Sequence, residues 1–268
     1  MADYALLLLD APPGEARELA HVIADVTDRT LFDVTQAVYY GRGLLAEHLP
    51  LDQAQVLGAR LLDAGCATFC VPEGELHAPV RPLRVTKAAV GGDGFVIEDQ
   101  LQRQRLEPWG ELRLLAAGTV QPAEPELPAE SGQRGGARPK AGVLAPPGEA
   151  VVLRLTEDED EGLVRRHYLD LVFDDAEPRH YRIDCGTFNY QYLSADGRLG
   201  LRRDENLVQM AADLVQQGGA GWVTAAVRAL AEGRLEPAAV VATIRLYDAE
   251  VRWRLQRLRT FGAPAESA

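Results

Sequence analysis

Gly43-Leu-Leu-Ala-Glu-His-Leu-Pro-Leu-Asp-Gln-Ala-Gln-Val-Leu-Gly-Ala-Arg-Leu-Leu-Asp-Ala-Gly-Cys-Ala-Thr-Phe-Cys-Val71 is the stretch on which the reading of the fold turns. Leu44 and Leu45 form a short extended segment, and Leu49-Pro50-Leu51-Asp52 leads into a helix. Spacing places Val56, Ala59, Leu61 and Leu62 on or near the inner side of that helix. Gly65 stops it, and Cys66 to Val71 reads as a strand. Toward the N-terminus, Tyr4 to Leu9 is an apolar strand, and Ala11-Pro12-Pro13-Gly14 turns the chain into a helix whose Glu15 and Glu18 suit the positive end of its dipole. Leu19, Val22, Ile23 and Val26 recur at helical spacing. A further helix has Thr30 as cap, Asp33 three residues on, and Leu31, Val34, Ala37 and Val38 as its stripe, with Gly41 and Gly43 ending it. The order over residues 1–78 is β-α-α-β-α-β.

That order, with its Ala-Gly stop before the last strand, resembles the C-terminal domain of the bacterial ribosomal stalk protein, a fold shared by the Clp-protease adaptor. The resemblance spans roughly a quarter of the chain. It implies a small docking module of a kind whose relatives mostly bind other proteins. It does not carry over the stalk's recruitment of translation factors, since the matching helix, Leu31-Phe-Asp-Val-Thr-Gln-Ala-Val38, has no lysine. Nor does Asp10-Ala-Pro-Pro supply the Asn-Asp pair of the adaptor's degron pocket.

Beyond Pro79 the hydrophobic period falls to two, and residues 79–235 read as a largely β domain. Leu83 to Val90 and Phe95 to Ile97 form a hairpin across Gly91-Gly92-Asp93-Gly94, a turn and not a phosphate cradle, because a strand follows it. Strands are expected at Leu101–Leu106, Glu111–Val120, Ala150–Thr156, Arg166–Phe173 and His180–Asp184, with Phe188 to Tyr192 alternating again. Residues 121–148 hold hardly a large apolar group and are expected to form a disordered insert. A helix capped by Asp204 buries Leu207, Val208, Ala211, Leu214 and Val215. About seven strands closed by one helix, with Pro-Trp-Gly-Glu leading into a strand, is similar to the pleckstrin-homology-like barrels of bacterial proteins. Such barrels often bind acidic lipid headgroups or peptides. Trp222 to Ala231 and Pro237 to about Arg259 read as closing helices; the second makes up most of a segment 236–268 and carries the stripe Val240, Ile244, Tyr247, Val251, Leu255 and Leu258.

The net charge of −12 is uneven: −8 before residue 79, −5 through residue 235 and +1 thereafter. An acidic chain is a poor prospect for phosphate-backbone binding, so nucleic acid is not an expected partner. No apolar run is long enough to span a bilayer, so an integral membrane protein is not expected. Asp3, Asp10, Pro12 and Pro13 spoil a secretory signal. Three cysteines, Cys66, Cys70 and Cys185, build no disulfide framework and fit a reducing compartment; the expected location is cytoplasmic.

Chemistry-bearing motifs are sparse. Cys66 and Cys70 lack further ligands and read as buried structural residues. Glu157 to Glu161 lacks the alternation and glycine of a calcium loop and reads as a solvated hairpin tip. His167, His180 and Cys185, with Asp170 and Asp184 near, would make a Cys-His-Asp site only if alternation placed them on one face, which it does not. No catalytic, cofactor-binding or metal-ligating set is expected. The candidate ligand or partner contacts are Arg84, Lys87, Arg103 and Arg105, diluted by Asp93, Glu98 and Asp99; Tyr190 and Tyr192 on a strand; and Arg245 and Arg252 on the last helix. The expectation is an α+β, non-catalytic interaction protein with a protein partner. Its rivals are a barrel that binds a small molecule or makes peripheral contact with anionic lipid, and an unrecognised enzyme.

Overall fold

Tyr4–Leu8 (β1) is apolar on both faces and is buried along almost its whole length, so it belongs at the centre of a sheet. It pairs antiparallel with Leu44–Leu49 (β2) on one side and Thr68–Pro72 (β3) on the other. Ala16–Thr27 (α1), Leu31–Gly41 (α2) and Leu51–Asp63 (α3) pack with this sheet around Leu6, Ile23, Leu57 and Leu61. The computed structural model describes residues 3–10, 16–78, 81–99, 103–121, 165–173, 179–234 and 239–263. The expected β-α-α-β-α-β order is present, and Thr30 caps α2 by accepting from the Asp33 amide at 3.2 Å. The inner face of α3 is rotated from the expected one: Ala54, Leu57 and Leu61 are buried, while Val56 and Leu62 are exposed. Ala and Gly at 54 and 58 let the helix approach β1 and β3 closely, and this outweighs the bulkier stripe.

The second sheet holds Leu83–Val90 (β4), Gly94–Asp99 (β5), Gln104–Pro108 (β6), Leu112–Val120 (β7), Arg166–Phe173 (β8), Arg179–Asp184 (β9), Trp222–Val223 (β10) and Val240–Val241 (β11). Its order is β10-β7-β8-β9-β4-β5-β6, with β11 also on β7. The chain is α+β as expected, but the sheet is not a closed barrel. It is open and mixed, with β4 on β9 and both β10 and β11 on β7 running parallel. Helices on both faces explain the openness. Arg203–Gln217 (α4) and Ala225–Ala231 (α5) cover the side of Phe95, Leu171 and Phe173, and Ile244–Phe261 (α6) covers the side of Leu114, Ala116 and Val172. A sheet buried on both faces has no apolar interior left to enclose by curling.

Several local expectations are corrected. Trp222 and Val223 pair with Leu114 and Leu115 instead of opening a helix, so α5 starts only at Ala225. Val240 likewise lies in β11, and the last helix begins at Ile244 under a Thr243 cap; Pro237 lies outside the described residues. β6 runs from Gln104 to Pro108, and Leu101, the expected start of that strand, lies outside the described residues. Phe188 to Tyr192 is no strand: Asn189 makes one bridge to Lys87, and a 3₁₀ helix runs from Gln191 to Asp196. Asp204 sits in the first turn of α4 but does not cap it, and Val215 is exposed. The insert expected over 121–148, the strand expected at 150–156 and the acidic run 157–161 lie outside the described residues, apart from Gln121. Among the described residues no helix is long and apolar enough to cross a membrane.

Candidate functional site

α6 joins the two sheets. Its Tyr247, Val251 and Leu255 belong to the apolar cluster under β7 and β8, whereas Trp253 enters the core of the first sheet. There the indole Nε1 donates to the Leu8 carbonyl at 2.8 Å. Gly43 makes the approach possible. Its φ is +117°, and a Cβ built on it would stand 2.5 Å from the Trp253 ring. The residue read from sequence as a helix stop is therefore also the seat of a side chain more than two hundred positions away.

Polar contacts fix the same joint. Arg42 in the left-handed region and Arg254 both reach Glu250, at 2.7 and 2.6 Å. Burial alone would raise the Glu250 carboxyl, but the Arg254 and Arg42 guanidinium groups outweigh it and hold it below its usual range. The His77 amide donates to Gln256 Oε1 at 2.8 Å, Arg252 Nε donates to the His77 carbonyl at 2.7 Å, and Arg257 Nε donates to the Leu9 carbonyl.

Between α2, β2, the segment after β3 and α6 lies an open cleft of about 470 Å³. Ala37, Leu44, Leu45 and Trp253 line its apolar part; Arg29, Glu47, His48 and Arg252 are its charged or ionisable wall. Tyr40 of α2 lines it at 55% exposure, its ring 5.2 Å from that of Tyr39, and the same helix exposes Tyr39 and Phe32 at 44% and 48%. His77 also lines the cleft, and burial first, then Arg259 and Arg252, push its imidazole below the ordinary histidine range.

The other expected contacts are dispersed. Arg84 is paired with Asp184 at 2.5 Å and Arg105 with Glu107 at 2.7 Å, while Lys87 and Arg103 are exposed on β4 and just before β6. Arg84 and Arg105 thus spend their charge on neighbouring carboxylates. Tyr190 is core, its ring 4.8 Å from that of Phe188, and Tyr192 is half-buried with its hydroxyl donating to Asp213 at 3.2 Å; they form no open platform. Arg245 is exposed and Arg252 is at the cleft, both on α6. Cys66 is buried as expected but Cys70 is exposed, because alternation along β3 turns it outward between Phe69 and Val71.

His167 and Cys185 face one side of the second sheet and His180 with Asp170 the other, as strand alternation requires. Asp170, fully buried, accepts from His180 Nε2 at 2.7 Å and from Arg182 Nε and an Nη at 2.8 and 2.6 Å. Burial would raise its carboxyl, but His180 and Arg182 together hold it below the usual range. Arg182 also pairs with Asp248 of α6 at 2.7 Å and lies over the Tyr247 and Tyr168 rings, 5.0 and 5.6 Å from their centroids. With three donors committed to it, the Asp170 carboxylate fixes the Arg182 guanidinium, and Arg182 in turn holds α6 onto the sheet. A second buried carboxylate was not legible in sequence. Glu107 accepts from Tyr181 Oη at 2.5 Å, Arg105 at 2.7 Å and Arg179 at 2.9 Å.

Asp3, His48 and Glu73 bring their possible ligand atoms within 4.8 Å of one another. Glu73 already accepts the His48 amide and stands 3.0 Å from its Nδ1. That pairing accounts for a non-glycine residue held at φ +61°. No family model matches the chain, and no curated protein or solved structure matches it.

Proposed function

We propose that the protein is a non-catalytic interaction protein of the cytoplasm, and that its docking surface is the cleft between the first sheet's helices and α6 together with the aromatic face of α2. The observation that carries this is an open cleft of about 470 Å³ lined by the half-exposed Tyr40, on a helix that exposes two further aromatics, Tyr39 and Phe32. Large rings left in water beside a concave apolar surface match the buried anchors and pockets that dominate protein interfaces. The likeness of the first β-α-α-β-α-β unit to docking modules points the same way. Lipid binding by the second sheet gains less support, since Arg84 and Arg105 are neutralised by Asp184 and Glu107.

The test is affinity capture with three proteins: the wild type, Phe32→Ala/Tyr40→Ala, and Leu201→Ala, which truncates a fully exposed residue outside the cleft lining. The reading expects the same captured species with wild type and Leu201→Ala and its loss with the double variant. Equal capture by all three, with the fold of each verified by thermal denaturation, would remove the cleft from consideration.

A further inference from the structure

Resting on the docking reading above, we infer that the partner presents an acidic amphipathic helix, whose carboxylates lie along α6 and whose apolar residues enter the cleft. Residues 245, 249, 252, 256 and 259 follow one another at intervals of four and three, so they form one stripe of α6, and Ala249, Arg252 and Gln256 of this stripe line the cleft. The stripe's charged members are Arg245, Arg252 and Arg259. Among the described residues none of these three has a carboxylate within ion-pair distance, and neither does Arg29 across the cleft.

The acids of α6 are all directed elsewhere. Asp248 pairs with Arg182 at 2.7 Å, and Glu250 with Arg42 and Arg254. The helix thus separates its charges, acids toward its own fold and three arginines toward the cleft side, in a chain whose net charge is −12. Glu47 is the opposing charge at the cleft, and His48 is committed to Glu73.

Geometry selects a helix as the occupant. Arginines seven residues apart on α6 stand roughly 10 Å apart along its axis, at about 1.5 Å per residue. A partner helix repeating Asp or Glu every seventh position matches that interval on one face. An extended strand does not, because neighbouring same-face positions lie about 6.7 Å apart. Leucine-like side chains at the intervening positions would reach Ala37, Leu44 and Tyr40, the helix-in-groove mode.

The probe is a fluorescein-labelled synthetic helix with glutamates every seventh position and leucines between them on an alanine–glutamine background. Its controls are a lysine-for-glutamate counterpart and vesicles of phosphatidylcholine containing phosphatidylserine. Anisotropy is expected to show the glutamate helix binding, the lysine helix not, and the affinity falling with added salt. Arg245→Gln/Arg259→Gln removes two exposed charges that pair with no carboxylate among the described residues, Arg259 acting within the fold as a charge near His77. It is expected to weaken binding about fivefold, the product of two exposed ion pairs. Arg252→Gln is a second variant, read alongside its melting temperature because Arg252 also holds the His77 carbonyl.

Equal binding of the two helices, or no effect of the double substitution, overturns the inference. So does arginine-dependent binding of the vesicles without binding of the glutamate helix. If capture still depends on Phe32 and Tyr40 while the glutamate helix fails, the docking reading stands and only the acidic partner falls.

Discussion

Trp253 Nε1 donates to the carbonyl of Leu8 at 2.8 Å, so the last helix closes a hydrogen bond onto the strand at the centre of the first sheet. The indole is almost wholly buried among Leu7, Leu45 and their neighbours, and its ring fills the space that Gly43 leaves open. Trp253→Ala is expected to cost about 3–5 kcal/mol, the usual loss for emptying a large aromatic site. Trp253→Phe keeps most of the volume and strands the Leu8 carbonyl, for about 1–3 kcal/mol. Gly43→Ala should also destabilise, through a positive φ and a Cβ driven into the ring. Urea denaturation of the three variants checks the order, and an unaffected Gly43→Ala would contradict the placement of the indole.

Gly118 of β7 stands against the Tyr247 ring in the same way, with ring carbons 2.5 and 2.6 Å from where a Cβ would lie. Gly118→Ala is expected to lose about 1–3 kcal/mol by overpacking. Combined with Tyr247→Leu, which removes the obstructing ring edge, the loss should be smaller than the sum of the two single losses. Additive losses would show that α6 does not press on β7 at this point.

Much of the architecture was legible in local sequence, and where it was not the reason is tertiary. Thr30 with Asp33 announced the start of α2, and alternation located β4, β5, β8 and β9 to within two residues at each end. Trp222–Val223 and Val240–Val241 are two-residue strands that exist only because β7 offers them the edge that β8 leaves open; no period fits in two residues. The cleft was illegible for the same reason. Arg245 and Arg252 stood out as partner contacts, but Arg29, Tyr40 and His48 come from elements whose proximity depends on Trp253 docking into the first core. Glu107, just past the strand expected to end at Leu106, carries no sequence signal of burial; only Tyr181 and Arg179 converging on it show it.

Arg182 carries the polar attachment of α6 to the second sheet through Asp248 and the Tyr247 ring, and removing the charge of Asp170 leaves this guanidinium buried without its principal partner. Asp170→Asn is expected to lose about 3–5 kcal/mol. Because the carboxyl is held below its unfolded value of about 3.9, its contribution is present above that pH and is lost as the pH falls toward the folded value. The wild type should therefore lose stability below about pH 4 more steeply than the variant. Part of the acid slope remains in Asp170→Asn, since Glu250 is held low in the same direction. Identical acid slopes for the two proteins would mean that the triad of Asp170, His180 and Arg182 is not formed in solution.

His77 gives a dependence of the same sign, but nearer neutrality. Burial, with Arg259 and Arg252 facing it, lowers its imidazole pKa below the unfolded value of about 6.5. Above that pH both states hold the ring neutral and it contributes no pH dependence. As the pH falls through it the unfolded chain takes up a proton that the folded chain resists, so stability declines toward the folded value. His77→Gln retains the backbone bonds to Gln256 and Arg252 and removes the proton. Melting temperatures between pH 7.5 and pH 5 should then fall less steeply in the variant than in the wild type. Removing one cation, Arg259→Gln, should flatten the wild-type slope part of the way, because it withdraws one of the two charges that repel the protonated ring. Equal slopes in all three proteins would place His77 in water, away from the joint between α6 and the first sheet.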